Sequence, residues 1–518
     1  FGGPDNVGLV DNITLDGGDL ISTVAAINAL PTLAISNGSI QVADSGANID
    51  AANFGAGNIA LGSAVIVDSG TLTSTVAELL ALPVVTATGG AVELADAAGN
   101  IAGLDYTALS LNAVTAVEQT AGDLTDSVAA INDIPGFTVS AGTVTVSDTA
   151  ANIAAANFGA DNLPLANALT VAGGTLTVSL AELQALPPVD VDGGTLVLRD
   201  TAANIDGLDF TSPLLSAVSA VELSGGELTA SLTELDGIPS LSLDGGTVAL
   251  EDDASAIQAA NLGLDNLALV SSIKFNGGAW DSSVAELNAL PAIVSNTGAT
   301  VTLSDTAATL DAADFAAGNL PSVQAVNVTA GALDLSIAEL LAFVPLTETG
   351  GTVVATDTAA NILAATFGGP DNVGLVDNIT LDGGNLVGSV AVIDALPTLA
   401  ISAGTVQVND SGDDVAAASF VTGNIALASA INLTGGTFAS NLATLIALPS
   451  MTAAPGTDVQ IADAAAAAQG LDFLDGNLAL ITGLELNSGQ FSGTVASIGA
   501  LPPVTLSGGS TLHVVDAG

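Results

Sequence analysis

Carboxylates are the chemistry this sequence offers. It holds 54 Asp and Glu residues against two cations, Arg199 and Lys274, and one histidine, His513. Ten aspartates form a ladder with steps of 52 or 53 residues: Asp44, Asp96, Asp148, Asp200, Asp252, Asp305, Asp357, Asp410, Asp463 and Asp516. Each follows alternating apolar residues and precedes a short Ala-rich segment, as in VTVSDTAANIAAANF from Val144 to Phe158. An aspartate so placed reads as a helix N-cap. Its carboxylate would accept a backbone N–H at the positive end of the helix dipole, a contribution of ~1 kcal/mol.

A second set of aspartates lies in glycine-flanked loops: Asp5 and Asp371 in GGPDN, Asp161 in GADN and Asp265 in GLDN. Calcium takes six to eight oxygen ligands, so these four are the candidate calcium residues, and calcium ions are the one cofactor class the residues admit. Two features favour plain turns instead. The position is Gly57, Gly318 and Gly423 in other repeats, and the G-G-x-G-x-D pattern of calcium-binding β-rolls is absent. Asp-Asn is also ordinary turn chemistry.

Other chemistries lack their parts. A Ser/His/Asp triad would have to use His513, which occupies a strand position in STLHVVDAG. Zinc sites need about four nitrogen or sulfur ligands, and the chain has no cysteine. No G-x-x-x-x-G-K-[ST] loop occurs. Adjacent carboxylates such as Asp252 and Asp253 are expected by chance among so many. No enzyme is expected and no catalytic or cofactor-binding residue is assigned.

The formal net charge of −52 leaves no cationic surface for nucleic acid or an anionic membrane. No run of eighteen apolar residues exists to span a bilayer. The opening FGGPDNVGLV has neither the basic start nor the apolar stretch of a signal peptide.

The elements that must position the ladder follow from the repeat. A second ladder stands ten residues after nine of the aspartates, aromatic at Phe54, Tyr106, Phe158, Phe210, Phe315, Phe367, Phe420 and Phe473, with Leu262 in the remaining place. These read as stacked core rungs. The segment FGGPDNVGLVDNITLDGG occurs at Phe1–Gly18 and again, unchanged, at Phe367–Gly384, an offset of 366 residues. A block of seven short repeats was therefore duplicated, and residues 1–518 read as one continuous solenoid of about ten repeats with no catalytic domain.

Each repeat reads as two similar halves of about 26 residues: strand, Gly-Gly turn, strand, short helix. The first-half helix is preceded by Thr23, Thr75, Ser127, Ser179, Ser231, Ser283, Ser336, Ser389, Asn441 or Thr494, and five of these have Glu three residues on, a capping box. The expected fold is an α/β repeat solenoid with coils of about 26 residues paired into repeats of about 52. The alternative is a parallel β-helix with short embedded helices.

Two resemblances bear on this. IPSLSLDGGTV (Ile238–Val248) and LPTLAISAGTV (Leu396–Val406) resemble the leucine-rich-repeat segment L-x-x-L-x-L-x-x-N-x-L, with Gly where that family has Asn. The resemblance implies strand, turn and helix stacked as a solenoid, without the usual Asn ladder at that position. The V-x-V-x-D-T-A-A-N-I phrase at Val144–Ile153 is similar to repeats of very large secreted bacterial surface proteins, adhesins and S-layer-like proteins among them. It implies a non-enzymatic extracellular or cell-surface role as a filament, sheath, S-layer or other structural protein, with an adhesin stalk or carbohydrate-binding module as the alternative. The expected partners are further copies of the chain, divalent cations or cell-surface glycans.

Overall fold

Alternating apolar residues form strands, and every capped Ala/Leu segment forms a helix of four to six residues. The computed structural model describes residues 6–516. Contacts gather the chain into two compact units, Phe1–Glu251 with Ala260–Ser271, and Asp252–Ala259 with Ser272–Gly518. Both are built by one rule, set out here on the first.

The opening elements are β1 (Asn12–Ser22), α1 (Val24–Asn28), β2 (Thr32–Ser45), α2 (Gly46–Asp50), a 3-10 turn (Asn58–Leu61), β3 (Ala64–Ser69), β4 (Thr71–Ser74), α3 (Val76–Ala81), β5 (Val84–Ala87) and β6 (Ala91–Ala97). Pairing is parallel throughout, and the register gives the length of each coil. Asn12 of β1 pairs Thr32 of β2, Ala64 of β3 pairs Val84 of β5, and Thr71 of β4 pairs Ala91 of β6, each 20 residues on. Gln41 of β2 pairs Ala64 of β3, 23 residues on. The expected coil of 26 residues is thus corrected to coils of 20 and 23.

The physical reason is a seventh segment. β1 and β2 each bend at a register shift and so act as two consecutive strands. A repeat then lays down strand, strand, helix, strand, strand, helix and 3-10 turn, and each segment stacks on the one three places earlier. Seven segments on a three-sided coil make two and one-third turns, so each repeat starts one side further round than the last. The arrangement is a repeat solenoid of parallel strands and short helices.

Valine, isoleucine and leucine fill the interior. In the first repeat Ile27, Leu33, Ile40, Val42 and Ile59 form one cluster, with Leu15, Leu20 and Phe54 packed against its margin. Each fully buried aliphatic side chain contributes roughly 1.5–3 kcal/mol. All ten expected first-half caps occupy the N-cap position, and the Thr75–Glu78, Ser179–Glu182, Ser231–Glu234, Ser283–Glu286 and Ser336–Glu339 boxes are closed in both directions.

Candidate functional site

The aspartate ladder does not cap the helix that follows it. In its repeat the N-cap is Thr149, whose Oγ1 accepts the Asn152 N–H, while Asp148 is the last inward position of strand Thr143–Thr149. Its Oδ1 accepts the Thr149 N–H at 2.7 Å and the Asn152 side-chain amide at 2.7 Å. Its Oδ2 accepts the Val128 N–H at 3.0 Å, the first helical N–H of the coil before. The residue is a clamp between coils, and the N-cap assignment is corrected on that ground: a buried strand position aims its carboxylate at the neighbouring coil.

The same bond to a helix start 20 or 21 residues earlier recurs from Asp44 to Val24, Asp96 to Val76, Asp200 to Leu180, Asp305 to Val284, Asp357 to Ile337, Asp410 to Val390 and Asp463 to Leu442, at 2.9–3.1 Å. Asp252 accepts the Asp253 N–H at 2.8 Å, and Asp516 lies exposed beyond the last strand. At Asp44, Asp96, Asp148, Asp200 and Asp357 burial pushes the carboxyl up. Hydrogen bonds from an asparagine four residues on and from two backbone amides outweigh it, so each sits below the ordinary 3.8.

The loop after the second helix holds a device that the sequence reading missed. Asn58 Nδ2 donates to the carbonyls of Ile27, Leu30 and Pro31 at the end of α1, and its Oδ1 accepts the Leu33 N–H of β2 at 3.0 Å. One side chain satisfies a helix C-terminus and a sheet-edge N–H together. Asn266, Asn319, Asn372, Asn424 and Asn477 repeat the geometry. Asn162 makes the carbonyl half of it, to Ile131 and Ile134. An asparagine ladder therefore exists, but away from the leucine-rich-repeat-like segment. Its signal was the Asn that follows Gly or Asp in each of these loops.

The calcium candidates stand immediately before that staple. Asp161 and Asp265 have left-handed backbone, φ 54° and 48°, and the equivalent Gly57, Gly318 and Gly423 have φ 72°, 61° and 73°. The alternation of Asp with Gly thus follows a backbone requirement that glycine meets freely and aspartate tolerates. Asp371 is extended at φ −91°, and Asp5 lies outside the described residues. Among the described residues no three His, Cys, Asp or Glu side chains gather into a group able to hold a metal ion.

The aromatic ladder is shallower than expected. Phe54, Tyr106, Phe158, Phe210, Phe315, Phe367 and Phe420 are half-buried, and only Phe473 is buried. The rings sit in the loop leaving the second helix and cover the margin of the core. The most deeply enclosed aromatics are strand residues off the ladder, Phe275 and Phe438. A fixed spacing identifies an equivalent position, not its depth. The Tyr106 hydroxyl is buried without a hydrogen-bond partner, and burial pushes its pKa up to about 12.

No constellation of reactive groups faces a deep cleft among the described residues. His513 is exposed on strand Thr511–Val514. Arg199 pairs with Asp244 and, at 3.5 Å, with Glu222. Shallow grooves recur where a half-buried aromatic meets the next first-half helix: beside Phe54 and Leu82, beside Phe158 and Leu186, and beside Phe210 and Ile238. Their volumes are about 400, 430 and 230 Å³. Among the described residues no helix is long and apolar enough to cross a membrane.

Fold and site together define a repeat solenoid whose recurring polar residues hydrogen-bond one coil to the next. No family model matches the chain, and no curated protein matches it. Among solved structures, "Crystal structure of PEPR1-AtPEP1" is similar at 10% identity over 95% of this chain and 81% of that chain, with a TM-score of 0.15. At that score the likeness carries no argument.

Proposed function

We propose that this chain is a non-enzymatic structural protein of a bacterial cell surface, the subunit of an extracellular filament, sheath or S-layer assembled from stacked acidic repeats. One observation carries the reading: the polar residues that recur at a fixed spacing are engaged between coils. Among the described residues, Asp44, Asp96, Asp148, Asp200, Asp305, Asp357, Asp410 and Asp463 each hold a helix start of the coil before, and the asparagines hold its end. The surface phrase V-x-V-x-D-T-A-A-N-I supports the extracellular location by resemblance. The acidic exterior keeps such an assembly hydrated and opposes indiscriminate association.

Negative-stain electron microscopy, with calcium and after chelation, tests the proposal. Long uniform filaments or sheets are expected. Isolated particles in both conditions would sink it and favour the second reading, an adhesin stalk or glycan-binding module. The recurring aromatic-lined grooves favour that reading, because they offer a repetitive ligand equivalent seats.

A further inference from the structure

Three grooves repeat one construction. Phe54, Glu78 and Leu82 line the first, Phe158, Glu182 and Leu186 the second, and Phe210, Glu234 and Ile238 the third. In each, a half-buried ladder aromatic of one repeat lies beside the capping-box glutamate and the C-cap residue of the next repeat's first helix. At 230 to 430 Å³ they stand at the lower end of ligand pockets, about 300–1,000 Å³, and suit a single ring.

The glutamate is fixed in place and only half engaged. Glu182 Oε2 accepts the Ser179 N–H at 2.7 Å and the Ser179 hydroxyl at 2.8 Å, and Thr75 and Ser231 hold Glu78 and Glu234 in the same way. Among the described residues no donor reaches the Oε1 of these three side chains. The backbone N–H of the cap, and then its hydroxyl, hold each carboxyl below the ordinary 4.5, so the free oxygen is anionic at neutral pH. The polar residue before each aromatic is engaged in its own turn: Asn53 and Asn157 accept the Gly55 and Gly159 N–H groups, and Asp209 accepts that of Thr211. Each groove therefore offers one aromatic ring and one charged acceptor.

The repeat of Phe315 shows what such a ring takes. Its C-cap residue is Phe343, where the three grooves have Leu82, Leu186 and Ile238, and the two rings meet edge-on with centroids 4.9 Å apart. A second ring thus packs on the ladder aromatic where the chain supplies one. A cation is what the chain does not supply. Arg199 is paired with Asp244 and Glu222, and Lys274 is engaged as well, so neither is free to fill the grooves of a neighbouring copy.

We infer that each groove seats an amino sugar, whose apolar ring face packs on the ladder phenylalanine while its protonated amine donates to the free Oε1 of the capping glutamate. The inference rests on the glycan-binding reading above and names the glycan as one with unacetylated amines. A net charge of −52 favours that ligand over neutral or acidic glycans. Phe54 and Phe210 are three repeats apart, which is seven coils or roughly 34 Å at the spacing of neighbouring strands, and Phe158 lies on another side. A short sugar therefore occupies one groove at a time, and the three sites fill independently.

Saturation-transfer NMR on the 518-residue chain at physiological ionic strength tests this with the disaccharide of glucosamine and its N-acetylated counterpart. Irradiating the aromatic protons is expected to saturate the ring C–H protons of the glucosamine disaccharide. The N-acetylated sugar is expected to bind about tenfold or more weakly, having lost one charged hydrogen bond. Replacing Phe54, Phe158 and Phe210 together by Leu, the residue that Leu262 already places on the ladder, is expected to abolish the transfer. Replacing Glu78, Glu182 and Glu234 by Gln keeps an acceptor for each cap and is expected to bring both sugars to the same weak affinity. Equal binding of the two sugars by the native chain would overturn the amine contact and leave the glycan reading standing. Binding that survives the Leu replacements unchanged would make the sugar a mere counterion and overturn the grooves as its seat. Binding of neither sugar would overturn both this inference and the glycan reading on which it rests.

Discussion

Asp148 and Val128 belong to successive coils, and the carboxylate of one accepts the backbone N–H of the other at 3.0 Å. The same carboxylate closes the start of its own helix through Thr149 and Asn152. One side chain thus fixes two helix starts and the stacking of the coils that carry them. Charge-assisted bonds of this kind are stronger than neutral ones.

Asp148→Ala is expected to cost roughly 2–4 kcal/mol, since it leaves two backbone N–H groups and one side-chain amide unsatisfied. Asp148→Asn keeps an acceptor oxygen and is expected to cost less. Long repeat arrays need not unfold as one unit, so the readout is hydrogen exchange at the Val128 amide together with the urea midpoint. An unchanged Val128 amide in Asp148→Ala would show that the clamp contributes nothing.

The clamp makes stability pH-dependent with a definite sign. The folded carboxyls of Asp44, Asp96, Asp148, Asp200 and Asp357 lie below 3.8, so the unfolded chain binds protons first as pH falls. Their contribution is complete well above 3.8 and is lost as pH drops through the lower folded values. Relief of repulsion among the other carboxylates acts in the opposite direction over the same range. The difference in urea midpoint between the native chain and Asp148→Asn isolates the clamp. It is expected to hold steady at neutral pH and to shrink below about pH 4. A difference that grew with acid would contradict the assigned shift.

The asparagine staple is expected to be at least as sensitive. Asn424→Ala leaves the Leu399 N–H and the carbonyls of Ile393, Leu396 and Pro397 without that partner, a loss of roughly 2–4 kcal/mol. Asn424→Asp is expected to be worse, because its carboxylate would face those carbonyls. Thermal melts of the two variants decide the order.

The sequence and the fold agree where partners are close along the chain. The Thr75–Glu78 box spans three residues, so spacing alone announces it. Period-two alternation likewise announces the strands, and the capped Ala/Leu segments after them the short helices, while the parallel pairing is shown by the register. Asp148 was misassigned because its neighbours in sequence offered a helix to cap, while its distinguishing partner lies 20 residues away. Asn58 went unnoticed because its partners are 25 to 31 residues away. The coil length was hidden too: two similar halves suggest two turns, and only strand register reveals the extra third of a turn set by the 3-10 segment. The half-burial of Phe54 and its equivalents depends on that same geometry.

The left-handed loop positions predict a gain. Asp161→Gly and Asp265→Gly are expected to be neutral or to stabilise by up to about 1 kcal/mol, since glycine adopts φ near 50° without strain. Asp161→Ala is expected to destabilise. Calcium titration by calorimetry separates this from a ligand role, because a calcium ligand replaced by glycine would lower the affinity or remove the heat.

Divalent ions are expected to act on the assembly as counterions rather than as ligands of built sites. With 54 carboxylates and two fixed cations, the surface must hold a dense cation layer, and a divalent ion neutralises it with less loss of entropy than two monovalent ones. Counterion action depends on charge and concentration. An ordered site instead discriminates by size and coordination, which separates calcium from magnesium sharply. Light scattering with calcium and with magnesium at matched concentrations should therefore rise together, and scattering of the divalent-free chain should fall at low ionic strength. A response to calcium that magnesium cannot reproduce would place ordered calcium sites in the assembly and reverse the turn reading of Asp161 and Asp265.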